Sequence, residues 1–221
     1  MNRYSAAEIF AQGKTVITAH SACEGTLPNS REHVLAAIAS GAEMIEVDVR
    51  MDDNGALYMS HDLPEDTSAC MKLCEMFALI APETKMGMNL DVKTEGLIEA
   101  VMKLAAEYGL THRIVFTGAC NSERAKINAL GGEMWRSMWP GDNIPDGIAA
   151  NKVDGSPYLN VYYGMITDEY DAALRAIGGG FSAWTVDKEE EIVRFLKMGV
   201  SNITTRKPVL AMKLRKEIQG I

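Results

Sequence analysis

Apolar and polar positions alternate at period two in short runs along this chain, and apolar positions recur at helical spacing between those runs. The clearest alternating run is 44–49, with Ile45, Val47 and Val49 facing one way and Glu46 and Asp48 the other. It predicts a β-strand carrying both carboxylates on one face. Asn54-Gly55 follows and predicts a hairpin on a type I′ turn, which needs φ > 0 at both central residues. The second arm, 57–60, brings the chain back to His61-Asp62. Residues 15–20 form a short apolar run ending at His20. Residues 86–93 alternate, with Asn89, Asp91 and Lys93 on one face and Leu90 and Val92 on the other. Five further strands are predicted at 114–118, 134–138, 159–163, 181–186 and 202–205.

Helices fill the intervals. Ser30 is a candidate N-cap, followed by Val34, Leu35, Ile38 and Ala39 at helical spacing and closed by Gly41. Others are predicted over 67–79 (stopped by Pro82), 95–108, 122–130, 168–177, 188–198 and 208–218, the last with Pro208 in its first turn. The segment 140–157, holding Pro140, Pro145 and Pro157, reads as irregular with a short helical turn. With the arm 57–61 counted as an appendage, eight strands alternate with helices. That alternation implies parallel strands with right-handed crossovers, and eight repeats close into a (β/α)8 TIM barrel with a β-hairpin extension after strand 2. A doubly wound open sheet is the alternative, but no glycine-rich phosphate turn follows the first strand to support it. No linker-like break interrupts the pattern, so a single domain over 1–221 is expected.

At 221 residues, 47% hydrophobic and 24% charged, the chain has ample material for such a core. A net charge of −8 argues against a nucleic-acid surface, which requires a basic face. Neither a signal peptide nor a membrane span is apparent, so a cytoplasmic protein without a membrane anchor is expected. Cys23, Cys70, Cys74 and Cys120 read as reduced thiols, since no second pair completes a zinc site with Cys70 and Cys74. His33, in the first turn of a helix, and His112, before a strand at the opposite rim, read as surface residues.

In a barrel of this kind the chemistry sits at the C-terminal ends of the strands. His20 ends the first strand, Glu46 and Asp48 the second, and Asp91 and Lys93 the third, while His61 returns to the same rim. Two carboxylates about 4 Å apart cost about 4 kcal/mol at an effective dielectric near 20, so either their pKa values rise or a cation sits between them. All-oxygen ligation favours one hard divalent cation, Mg²⁺ or Ca²⁺. His20 and His61 can serve as general base and general acid, and Lys93 can complement a phosphoryl oxygen. Together these groups fit cleavage of a small-molecule phosphodiester. Trp184 is a candidate for the pocket floor; Phe116, Thr117, Trp135, Arg136, Tyr162 and Tyr163 are further lining candidates.

The chain resembles the glycerophosphodiester phosphodiesterases. The match runs through Ala19-His20, Pro28-Asn29-Ser30, the run 41–49, Asp53-Asn54-Gly55 and Ser60-His61-Asp62. It continues in residues 89–93, Ala183-Trp184-Thr185-Val186, Gly199-Val200, Ile203-Thr204-Thr205 and Pro208. The resemblance implies a (β/α)8 barrel with Glu46, Asp48 and Asp91 as metal ligands and His20 and His61 as the acid–base pair. It departs from the family pattern at Ser21, where an arginine usually follows the first histidine, and Arg136 is the candidate substitute. Asp91 stands where the family usually has glutamate and is similar to the sphingomyelinase D-type phospholipases, which pair an aspartate with a lysine there. Two other readings follow from these departures: a cyclising phospholipase D-like lyase, and a non-catalytic metal- or phosphate-binding barrel.

Overall fold

The computed structural model describes residues 5–81 and 85–221. Pro82, expected to stop a helix, lies outside the described residues. A parallel sheet runs in the order β6-β5-β4-β2-β1-β10-β9-β8-β7. Its strands are β1 (Val16–Ala19), β2 (Met44–Met51), β4 (Gly87–Val92), β5 (Ile114–Gly118), β6 (Glu133–Met134), β7 (Arg136–Met138), β8 (Tyr158–Tyr162), β9 (Gly180–Trp184) and β10 (Asn202–Thr205). β6 and β7 are halves of one bent strand joined by Trp135, whose N–H donates to the Phe116 carbonyl at 3.0 Å. β6 pairs with β5 and β7 with β8, so the ring closes through that residue. Each of the eight predicted strands is therefore present, and the sheet is a barrel rather than an open doubly wound sheet.

Outward-facing residues such as Ile45, Val47, Leu90, Phe116, Phe181 and Ile203 are buried under the helices. These are α2 (Arg31–Ser40), α3 (Leu73–Ile80), α4 (Ile98–Glu107), α5 (Arg124–Ala129), α6 (Ile144–Asp154), α7 (Asp168–Arg175), α8 (Glu189–Met198) and α9 (Pro208–Gln219). Ser30 caps α2, accepting from the His33 N–H at 3.2 Å, and Gly41 ends it with φ 80°. At the base, Arg215 of α9 makes a bidentate pair with Glu43 at 2.7 Å on both oxygens, with both side chains 2% exposed. That pair fastens the last helix to the entry of β2.

Four local expectations change. A short helix α1 (Ala6–Ala11), which the sequence reading lacked, is set by a Ser5/Glu8 capping box and puts Ile9 against Val16, Met44, Val115 and Trp135. It plugs the N-terminal end of the barrel. The segment 140–157 contains an 11-residue helix, α6, because Pro145 falls in its first turn, where no N–H is needed. The helix expected over 67–79 is instead a 3₁₀ turn, Thr67–Ala69, followed by α3, since Lys72 forms an antiparallel bridge with Tyr58. The hairpin loop spans five residues between Met51 and β3 (Leu57–Met59). Its Asp52 carboxylate accepts from the N–H groups of Asn54 and Ala56 at 3.0 and 2.8 Å. Only Gly55 there takes positive φ, 81°, so the turn is not type I′.

Candidate active site

Period-two alternation sorts the inward side chains of the barrel into tiers. The lowest is apolar: Val16, Met44, Val115 and Trp135. The middle is polar and satisfied strand to strand. Thr18 Oγ1 donates to Asn202 Oδ1 at 2.7 Å, Ser182 to Asn160 at 2.8 Å, and Thr117 to Asn89 at 2.7 Å. Above that floor opens a cavity of ≈ 350 Å³ lined by His20, Glu46, Asp48, Asp91 and Lys93, with His61 at its edge. The parallel register that pairs Asp48 with Asp91 across β2 and β4 places the two acids at one height.

Glu46, Asp48 and Asp91 each offer an oxygen, and these three lie within 4.8 Å of one another. Glu46 Oε2 accepts the Ser21 N–H at 3.0 Å. Asp48 is clamped by Asn29, whose amide donates to Oδ2 at 2.7 Å and whose Oδ1 accepts the Asp48 N–H at 3.0 Å. Lys93 Nζ lies 2.6 Å from Asp48 Oδ1 and 2.8 Å from Asp91 Oδ2. Burial, with the charges of Asp48 and Asp91 adding to it, pushes the Glu46 carboxyl well above its ordinary range, and burial also raises Asp91. Burial works the same way on Asp48, but Lys93 and the Asn29 amide outweigh it and hold that carboxyl low. Burial alone would lower the Lys93 ammonium; Asp91 and Asp48 overcome it and raise it. Asp91 Oδ1 is buried with no hydrogen-bond partner. An orphaned carboxylate oxygen, a carboxyl pushed up by burial and by its acidic neighbours, and an all-oxygen donor set together fit a hard divalent cation.

Gly118 makes this arrangement possible. Its φ is +84°, and a Cβ there would fall 1.9 Å from Asp91 Oδ1 and 2.4 Å from the Val92 carbonyl. Gly118→Ala is expected to destabilise the protein by about 1–3 kcal/mol through backbone strain and displacement of Asp91. Urea titration checks the stability, and weakened Mg²⁺ or Ca²⁺ binding would register the displaced carboxylate.

His20 Nδ1 sits 2.5 Å from the Ser21 carbonyl, which can only accept, so Nδ1 carries the proton and Nε2 keeps its lone pair, 3.9 Å from Glu46 Oε2. Burial lowers the His20 pKa, with Arg206 adding to the effect against the Ser21 carbonyl, so the ring is neutral near pH 7. His61 is set by the hairpin: Ser60 N–H donates to the Asp48 carbonyl at 3.1 Å, and Arg50 holds the His61 carbonyl at 2.7 Å. Its Nδ1 is engaged by Asp62 Oδ1 at 2.9 Å, and its side chain is 68% exposed.

Trp184, at the end of β9, lines the cavity and meets Tyr162 edge-on at 6.1 Å. Arg136 does not reach it. Trp135 and Ser137 take the inward positions of the bent strand, leaving Arg136 outward, where it pairs with Asp154 and donates from Nε to Asn151 at 3.0 Å. Trp135 lies in the apolar tier below the cavity, and Thr117 belongs to its floor. Phe116 faces the helices, and Tyr163 packs toward Phe195. His33 is fully buried, not superficial, because the first turn of α2 tucks under the loop that follows His20; burial lowers its pKa to about 4. His112 is exposed at the opposite rim, as expected. The four cysteines are free thiols. Sequence reasoning missed Asn29 as the Asp48 clamp and Arg206 and Trp139 as lining groups. Continuing the alternation of Asn202 and Thr204 by one step would have found Arg206.

No family model matches the chain. It is 23% identical over 247 residues to a Bacillus altitudinis protein named glycerophosphodiester phosphodiesterase, covering 93% of this chain and 100% of the relative. Among solved structures, a provisionally named glycerophosphoryl diester phosphodiesterase from Agrobacterium tumefaciens superposes with a TM-score of 0.85 at 19% identity, covering 94% of this chain and 100% of the other. An Oleispira antarctica phosphodiesterase, solved with its product sn-glycerol-3-phosphate, superposes with a TM-score of 0.75 at 18% identity, covering 96% and 99%. At these identities the solved structures establish the barrel. No helix among the described residues is long and apolar enough to cross a membrane.

Proposed function

We propose that this chain, which is similar over 93% of its length to a protein named glycerophosphodiester phosphodiesterase, is a divalent-cation-dependent phosphodiesterase that hydrolyses glycerophosphodiesters to an alcohol and glycerol phosphate, its whole barrel acting as one catalytic unit. The observation that carries the reading is the convergence of Glu46, Asp48, Asp91, Lys93, His20 and His61 on one cavity. Glu46, Asp48 and Asp91 would hold Mg²⁺ or Ca²⁺, which when bound supplies Lewis-acid polarisation of a phosphoryl oxygen. Lys93, fixed between Asp48 and Asp91, presents its charge to the same phosphoryl group. His20 takes a proton from the attacking water at Nε2, the nitrogen left unprotonated by the Ser21 carbonyl, as the water oxygen bonds to phosphorus and the bond from phosphorus to the leaving alcohol oxygen breaks. His61, its Nδ1 tied to Asp62, gives a proton from its other nitrogen to the leaving alkoxide. Trp184 and Trp139 offer apolar walls for the organic part of the substrate. A cytoplasmic location goes with this reading.

The test is phosphorus NMR of the protein with a panel of glycerophosphodiesters, with Mg²⁺ or Ca²⁺ and with EDTA. Metal-dependent appearance of a phosphomonoester supports hydrolysis. The Asp91–Lys93 contact favours one second reading, in which a neighbouring substrate hydroxyl attacks and a cyclic phosphate accumulates instead. Absence of turnover for every diester with either metal would overturn both.

A further inference from the structure

We infer that Arg206 is the residue that grips the non-bridging phosphoryl oxygens of the diester, making it a substrate-binding group of this barrel supplied by the end of β10. The inference rests on the phosphodiesterase reading above and names the anion-binding side of its site.

Three observations carry it. Asn202, Thr204 and Arg206 follow one another at period two on the inner face: Asn202 bonds to Thr18 of the neighbouring strand, and Thr204 and Arg206 line the cavity. The register of β1 with β10 pairs Ala19 with Thr205, and the His20 N–H donates to the Thr205 carbonyl at 2.9 Å. Residue 206 therefore emerges at the rim beside His20. Its main chain is fixed on both sides, since the N–H donates to Asp187 Oδ1 at 2.8 Å and the carbonyl accepts from Glu24 at 2.8 Å.

The charge balance of the cavity gives this placement its consequence. Among the described residues, Lys93 and Arg206 are the two cationic side chains that line it. Lys93 is only 17% exposed and is bracketed by Asp48 and Asp91, so those carboxylates take up much of its field. Ser21 brings no charge. Arg206 stands outside the carboxylate triangle and gives Nη1 to Asp187 Oδ2 at 2.7 Å. A guanidinium has five N–H donors in a planar fork, so one ion pair orients it without exhausting it. Asp187 is then a positioning residue. The resulting geometry puts an anion between the carboxylate cluster and Arg206, with His20 alongside. The alcohol is left to extend toward His61, where a groove containing Leu27, Met59 and Met71 begins.

The experiment is calorimetric titration of sn-glycerol 3-phosphate into Mg²⁺- or Ca²⁺-loaded protein, together with KM and kcat for glycerophosphocholine. It compares the wild type with Arg206→Gln and Arg206→Lys. Arg206→Gln is expected to weaken glycerol phosphate binding about 10- to 100-fold and to raise KM by a similar factor, with kcat changing much less. Arg206→Lys, which keeps the charge and loses the fork, is expected to fall between the two and carries the test should the glutamine variant unfold. Affinity and KM within twofold of wild type in both variants would overturn the inference while leaving the phosphodiesterase reading intact. A wild type that binds glycerol phosphate through Arg206 but turns over no diester would overturn the reaction and leave the anion site standing.

Discussion

Replacing His61 by alanine is expected to lower kcat/KM for glycerophosphodiesters by about 10²–10⁴-fold, the range associated with loss of a positioned proton-transfer group. The fold should not register the change. The His61 imidazole is 68% exposed, and its hydrogen-bond partner is the still more exposed Asp62, so unfolding in urea should shift by less than about 0.5 kcal/mol. The binding of Mg²⁺ or Ca²⁺ should also persist, since among the described residues no hydrogen bond or ion pair joins the three carboxylates to this ring, which reaches Asp48 and Asp91 only through its charge. That separation makes His61 a cleaner probe than His20, which is largely buried against the Ser21 carbonyl and whose removal would also disturb the Glu46 anchor. The pH profile supplies a second readout. Because His20 is held below the 6.5 of an unperturbed histidine, it becomes a competent base early, and the acid limb of kcat/KM should fall below that value in the wild type. A loss of less than tenfold in His61→Ala would remove this residue from the proton transfer and leave His20 acting with water alone.

The parts of this protein that were legible in its sequence are those set by short-range periodicity. Alternation in 44–49 and 86–93 located the acids on the inner face because a strand has no other way to dispose successive side chains. Repetition of strand and helix fixed the parallel ring. The hidden parts depend on where a correctly identified element is cut or bent. Arg136 and Trp135 both read as lining residues in the sequence, but they are adjacent and cannot both face inward; the bent strand gives the lumen to Trp135 and Ser137. Arg206 lies one residue beyond the last strand, just outside the alternating run. His33 occupies a polar-looking helix start, and only the loop folding over α2 buries it. The three prolines of 140–157 hide the helix α6 from a pattern reading, although a proline in a first turn costs the helix nothing. In each case tertiary placement decided among orientations that local chemistry left equal.

Stripping divalent cations with EDTA is expected to abolish turnover and also to add to the pH dependence of stability a component that the metal-loaded protein lacks. Glu46 and Asp91 are both held above their ordinary values of 4.5 and 3.8, chiefly by burial, so the folded chain binds their protons more tightly than the unfolded chain does. Their contribution to stability is fully present below those ordinary values and is lost as pH rises through the higher folded-state values. Asp48 has the opposite sign: its contribution is present above 3.8 and is lost only as pH falls through its depressed folded value. His20 and His33, both held below 6.5, add stability as pH rises toward that value whether or not metal is bound, so the first pair shows as a difference: the metal-free protein should lose stability relative to the metal-loaded protein as pH rises. A bound divalent cation would compensate the three charges together, removing that loss and adding about 2.7 kcal/mol at a hundredfold excess over its dissociation constant. Thermal melts from pH 5 to 8, with EDTA and with Mg²⁺ or Ca²⁺, provide the measurement. Glu46→Gln should reduce the metal-free loss by removing the most perturbed carboxyl, and should shrink the metal-induced rise in Tm by removing a ligand. Melts that respond to neither metal at pH 8, and that are the same in Glu46→Gln, would mean that Lys93 alone balances the cluster. The three carboxylates would then be a structural ion-pair network rather than a cation site.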